Sequence, residues 1–128
     1  MYTKALELAN DHVRVNPIDK DVLSNRAYLL AEMGHREEAR REIGALLTTD
    51  GVRGDMTILF RSALIYEQVG DRKAALAALE AAATGGYSIS RIARDPDFTQ
   101  LVKDPSYQRV VDNANRSVNR RLEQRRSP

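Results

Sequence analysis

Residues 19–50 read DKDVLSNRAYLLAEMGHREEARREIGALLTTD. Val22, Leu23, Ala27 and Leu30 recur at helical spacing, Gly34 interrupts the run, and Ala39, Ile43, Leu46 and Leu47 resume it. That pattern predicts a helix, a tight turn and a second helix packed back on the first. The unit returns 36 positions later: Leu59, Ala63, Ile65 and Tyr66 precede Gly70, and Ala75, Leu79 and Ala82 follow it. A helical hairpin repeated at this period predicts an all-α solenoid, in which each unit buries its apolar face against its neighbours.

The spacing resembles the tetratricopeptide repeat (TPR), whose unit is about 34 residues long. The places that family gives to small residues and to the closing glycine are taken here by Ala27, Gly34, Ala39 and Leu46, then by Ala63, Gly70, Ala75 and Ala82. The extra residues fall in the turn-rich junction Thr49-Asp50-Gly51-Val52-Arg53-Gly54. The resemblance implies antiparallel hairpins stacked as a right-handed solenoid.

Composition is compatible with this. A chain of 128 residues suffices for one domain with a continuous core. There is no cysteine, hence no disulfide framework and no thiol metal site. Lys4, Glu7, Asp11 and Arg14 break up residues 1–16, so neither a signal peptide nor a membrane span is expected there, and a cytoplasmic location is. Charge is uneven: residues 1–108 hold 14 basic and 16 acidic side chains, whereas residues 109–128 hold six Arg against Asp112 and Glu123. The basic balance belongs to the tail.

The expected organisation is a TPR-like domain over residues 1–111 and a basic end over residues 112–128. Within the first, residues 1–18 form either the second helix of a partial repeat or an N-terminal cap, with Tyr2, Ala5, Leu6, Ala9 and Val13 on one stripe. Residues 19–54 and 55–86 are the two full repeats. Residues 87–111 hold short helical pieces started by Asp95-Pro96 and Asp104-Pro105, each an Asp cap followed by a Pro suited to a first turn. The last helix is expected from near Pro105 along Tyr107, Val111, Ala114, Val118 and Leu122, fraying beyond. The run GGYSISRIARDPDFTQLVKDPSYQRVV (85–111) resembles the ending of TPR domains in bacterial multidomain regulatory proteins that carry Ser/Thr kinase or nucleotide-cyclase modules.

Chemistry is sparse. His12 and His35 are the only histidines, and no carboxylate arrangement completes a metal or acid–base set around either. Gly51-Val52-Arg53-Gly54 lacks a phosphate loop's strand and its Lys-Ser/Thr ending. No catalysis and no cofactor are expected.

In the family the resemblance points to, the first helices of successive repeats line a groove for a peptide or partner helix. The corresponding residues are Asp21, Ser24, Asn25, Tyr28 and Glu32, then Thr57, Phe60, Arg61, Leu64 and Gln68. Tyr28, Phe60 and Leu64 would be apolar anchors and Arg61 would pair with an acidic group, aromatic residues and Arg being frequent binding hot spots. The same resemblance places Thr57 where carboxylate-clamping members have Lys, so a terminal carboxylate is not the expected ligand. The principal expectation is therefore a scaffold or interaction module with a protein or peptide partner. One alternative is self-association, a homodimer paired through the edge of residues 1–15. The other is an electrostatic adaptor for nucleic acid or an anionic surface through Arg116, Arg120, Arg121, Arg125 and Arg126.

Overall fold

A computed structural model describes residues 2–49, Val52 and residues 54–126, without the side chains of Tyr2 and Arg126. The described residues form seven α-helices and two short 3-10 turns: α1 Tyr2–Val15, α2 Lys20–Glu32, α3 Arg36–Leu47, α4 Met56–Gln68, α5 Arg72–Thr84, α6 Ile89–Arg94, the turns Pro96–Phe98 and Leu101–Lys103, and α7 Tyr107–Arg126. The expected hairpins are α2–α3 and α4–α5. Helices packed on each other are mostly neighbours in the chain, with α2 also lying against α4 and α5 against α7. The chain is all-α and its helices stack as a helical-repeat protein's do.

Each hairpin is built from the same local parts. Asp19 caps α2 by accepting from the backbone N–H of Asp21 at 2.9 Å and of Val22 at 3.2 Å, and Asp55 caps α4 through Ile58 N–H at 3.1 Å. Both first helices end the same way. Gly34 and Gly70 take φ of 85° and 84°, letting His35 N–H reach Leu30 C=O at 2.9 Å and Asp71 N–H reach Tyr66 C=O at 2.8 Å. These are Schellman closures, which need a left-handed residue and therefore favour glycine. A third copy closes α5, where Gly86 has φ 116° and Tyr87 N–H bonds Ala82 C=O at 2.9 Å.

Small residues set the packing distance. Ala27 is 1 % exposed, and Ala39, Ala63 and Ala75 have no exposed surface, so the paired backbones approach closely at the repeat's matched places. Around the first hairpin Leu30, Ile43, Leu46, Ile58, Ile65 and Val69 form one core cluster. Leu79, Ile92, Phe98, Leu101, Tyr107 and Val110 extend the core through the second hairpin into the ending.

Three features sharpen or depart from the expectation. Val52, in the turn-rich junction, is buried and joins the first core cluster, while Asp50, Gly51 and Arg53 of that junction lie outside the described residues. The first Asp-Pro pair starts a 3-10 turn, with Asp95 accepting from Asp97 N–H at 2.9 Å; the second precedes α7 by one turn, with Asp104 accepting from Ser106 N–H at 2.9 Å. Helix α7 does not stop near Leu122 but continues to Arg126. Its apolar stripe buries Tyr107, Val110 and Ala114, then leaves Val118 and Leu122 exposed.

Candidate functional site

The ten residues assigned to the groove lie on α2 and α4, which pack side by side. Asp21, Asn25, Thr57 and Gln68 are exposed, and Tyr28, Glu32, Phe60, Arg61 and Leu64 are partly buried. Ser24 is different: it has no exposed surface. Its hydroxyl donates to Asp21 C=O at 3.1 Å and accepts from Arg61 Nη1 at 2.5 Å. The same Nη1 donates to Asp21 C=O at 3.4 Å. Arg61 therefore spends donors on the joint between α2 and α4, and a buried hydroxyl stays hydrogen-bonded, as burial requires.

Phe60 and Leu64 pack against the second core cluster. Tyr87 and Phe98 come to Phe60 from the chain's ending, so this aromatic ring anchors residues 87–98 to α4. Of the expected apolar anchors, Tyr28 belongs to the first hairpin, where it packs partly buried on the first core cluster.

Ion pairs hold the frame behind this face. Lys20 Nζ lies 2.7 Å from Asp55 Oδ2, tying the starts of α2 and α4. That bond holds the Asp55 carboxyl below its ordinary range and the Lys20 ammonium above its own. Arg72 grips both Glu67 oxygens at 2.7 Å and Asp104 at 3.3 Å, joining α4, α5 and the start of α7. The backbone N–H of Ser106, and then Arg72, lower the Asp104 carboxyl. Arg26 links Asn10 of α1 to Glu42 and Glu38 of α3.

The basic end divides by partner. Arg121 and Ser117 both donate to Thr84 C=O, the latter at 2.9 Å, satisfying the carboxyl end of α5, and Arg116 donates to Asn113 at 3.3 Å. Arg120 and Arg125 are exposed, and the Arg126 side chain lies outside the described residues. Part of the expected cationic patch is thus a helix cap made by α7.

A cleft of about 570 Å³ at the start of α2 includes Asp21 in its lining, with Ile18, Leu23 and Val52, and two more lie away from the ten residues. One of about 550 Å³ between α5 and α7 is lined by Lys73, Leu76, Asp104 and Arg109 among others, and another of about 400 Å³ by Leu47, Leu59, Tyr66 and four alanines of α5. His12 is exposed on α1, and His35 is exposed just before α3. Among the described residues no group of three His, Cys, Asp or Glu could hold a metal ion, and no helix is long and apolar enough to cross a membrane.

Comparison of the chain with models of known protein families, with curated proteins and with solved structures gives no match. The reading of this surface therefore rests on its own geometry. Sequence reasoning missed the burial of Ser24 and the role of Arg61, whose partners are 37 and 40 positions away. A serine beside an arginine one repeat later was the only trace.

Proposed function

We propose that the chain is a protein-interaction module of the tetratricopeptide kind, a right-handed solenoid whose α2 and α4 offer a concave face to a peptide or partner domain. The observation that carries this reading is the match between the two helices. They start and end 36 positions apart, have Asp caps and Gly closures at equivalent places, and lie side by side. Asn25 and Arg61, Tyr28 and Leu64, and Glu32 and Gln68 therefore hold matched places. A face already ordered by its core and its polar ties loses little freedom on binding. No catalysis and no cofactor belong to this reading, and we place the module in the cytoplasm, within regulatory proteins of the bacterial kind its ending resembles.

Selection from a phage-displayed library of random dodecapeptides tests it. The wild-type chain should enrich a related set of peptides, and Asn25→Ala with Tyr28→Ala should lose them while the helical circular-dichroism signal and a single cooperative unfolding transition are kept. An empty selection, or one indifferent to the double variant, removes the face.

Self-association is the second reading, favoured by apolar residues on the first helix and after it: Leu8 is 57 %, Val15 71 % and Ile18 92 % exposed. Ala9, by contrast, is buried, so the edge available to a second copy is the Leu8 and Val15 side of α1. Sedimentation over a hundredfold concentration range, repeated with Leu8→Glu, decides it. A wild-type mass that stays monomeric throughout rules it out.

A further inference from the structure

Helices α5 and α7 run side by side in the same direction. Arg72 meets Asp104, Asn113 donates to Glu80 and Ser117 donates to Thr84 C=O, partners 32, 33 and 33 positions apart. A near-constant offset is what two parallel helices give. Two clefts, of about 550 Å³ and about 430 Å³, lie along this seam and share Ala77 and Glu80 in their linings, so they follow one another as one trough. The first also has Lys73, Leu76 and Arg109, the second Ala81, Thr84 and Arg120. At a helical rise of about 1.5 Å per residue, the trough follows α5 from Lys73 to Thr84 for about 16 Å.

The acids of the trough are engaged. Asp104 accepts from Arg72 and from Ser106 N–H, and Glu80 accepts from the Asn113 amide. Its outer cations are not: Lys73, Arg109 and Arg120 are exposed, and among the described residues no hydrogen bond or ion pair holds any of them. Lys73 and Arg109 stand at one end and Arg120 at the other, with Leu76, Ala77 and Ala81 between them. Among the described residues no aromatic ring lines either cleft, so a nucleobase would find nothing to stack on.

We infer that the trough between α5 and α7 takes an acidic, extended segment of a partner protein. Its carboxylates reach Lys73 and Arg109 at one end and Arg120 at the other, while short apolar side chains lie on Leu76, Ala77 and Ala81. About five extended residues, at about 3.3 Å each, span that length. Complementary charge of this kind sets encounter rate and partner choice. The site is separate from the α2–α4 face and does not depend on it.

The capped peptide Glu-Glu-Leu-Ala-Glu-Glu and its counterpart with Gln in place of Glu, titrated against the full chain and read by backbone amide chemical shifts, test this. The acidic peptide should bind at least about tenfold more tightly, with its shifts concentrated on α5 and α7. Lys73→Gln with Arg109→Gln should erase most of that preference, and so should raising salt from about 0.05 to 0.5 M. Arg36→Gln with Arg41→Gln, the same loss of charge from exposed positions on α3, should leave it in place. So should Asn25→Ala with Tyr28→Ala, which separates this site from the α2–α4 face. The inference is overturned if the acidic peptide does not bind, if the Gln peptide matches it, or if the α3 variant weakens it as much as the trough variant. A short oligothymidylate that binds more tightly and displaces the peptide also overturns the peptide occupant.

Discussion

The Phe60 ring lies flat on the Tyr87 ring, with centroids 4.7 Å apart and planes 17° from parallel, and Phe98 meets it edge-on at 5.5 Å. Phe60 holds the place in α4 that Ser24 holds in α2, one repeat earlier. Ser24 faces the next repeat, whose Arg61 covers it. Phe60 faces Tyr87 and Phe98 instead. The ending thus covers the outer side of α4 with rings and a 3-10 turn rather than with a long helix.

Removing that cover should unfasten the ending. Phe98 is fully buried, so Phe98→Ala should cost about 3–5 kcal/mol, a large part of a small domain's total stability. Tyr87 is partly exposed, and Tyr87→Ala should cost about 1–2 kcal/mol, including the ring pair. Urea unfolding followed by circular dichroism reads both. A Phe98→Ala loss under about 1 kcal/mol would mean that residues 87–98 do not hold α4.

The bond from Arg61 to Ser24 should appear as coupling between repeats. Arg61→Ala removes a donor from a buried hydroxyl and from Asp21 C=O, while Ser24→Ala removes the hydroxyl itself. A double-mutant cycle in denaturant should return a coupling of about 1 kcal/mol. Additive losses would show that the guanidinium contributes by packing alone. It follows that Arg61→Ala is a poor probe of ligand binding, because it loosens the frame at the same time.

The hairpins were legible because helical periodicity, Asp caps and Gly34 and Gly70 all point to the same boundaries. What the sequence hid was each residue whose environment is set by a distant partner. Ser24 and Arg61 look like ordinary polar positions until α2 and α4 are laid together. Val52 sits between glycines in a junction, yet its apolar side chain is drawn into the first core cluster. Phe60 fitted a groove and a core equally well on spacing, and only the arrival of Tyr87 and Phe98 shows what touches it.

Gly34 and Gly70 isolate a backbone effect. A Cβ added at either would meet nothing within 4 Å, so the cost of substitution is the strain of a left-handed φ alone. Gly34→Ala and Gly70→Ala should each lose about 1–2 kcal/mol, and Gly→Asn at the same places should lose less. Thermal unfolding of the four variants compares them. Equal losses for Ala and Asn would assign the cost to something other than the turn.

Two carboxylates should give stability opposite slopes with pH. Asp55 is lowered first by its bond to Lys20, so its contribution is complete above the unfolded carboxylate value of about 3.9 and fades as pH falls through the folded value. Lys20 is raised by the same bond, and its contribution is lost only as pH rises through its folded value, above about 10.4. Lys20→Met should therefore lower the denaturation midpoint at pH 7, and the gap to wild type should close once acid protonates Asp55 in the folded state as well. Asp97 runs the other way. Burial, then Asp95 and Glu32, raise its carboxyl, so the folded state holds the proton more tightly than the unfolded chain and loses stability as pH rises through the raised value. Asp97→Asn should accordingly stabilise the chain at neutral pH by at most about 0.5 kcal/mol, with the gain vanishing once acid protonates Asp97 in both states. Midpoints that shift in the same direction for both variants would contradict the opposite placement of these two groups.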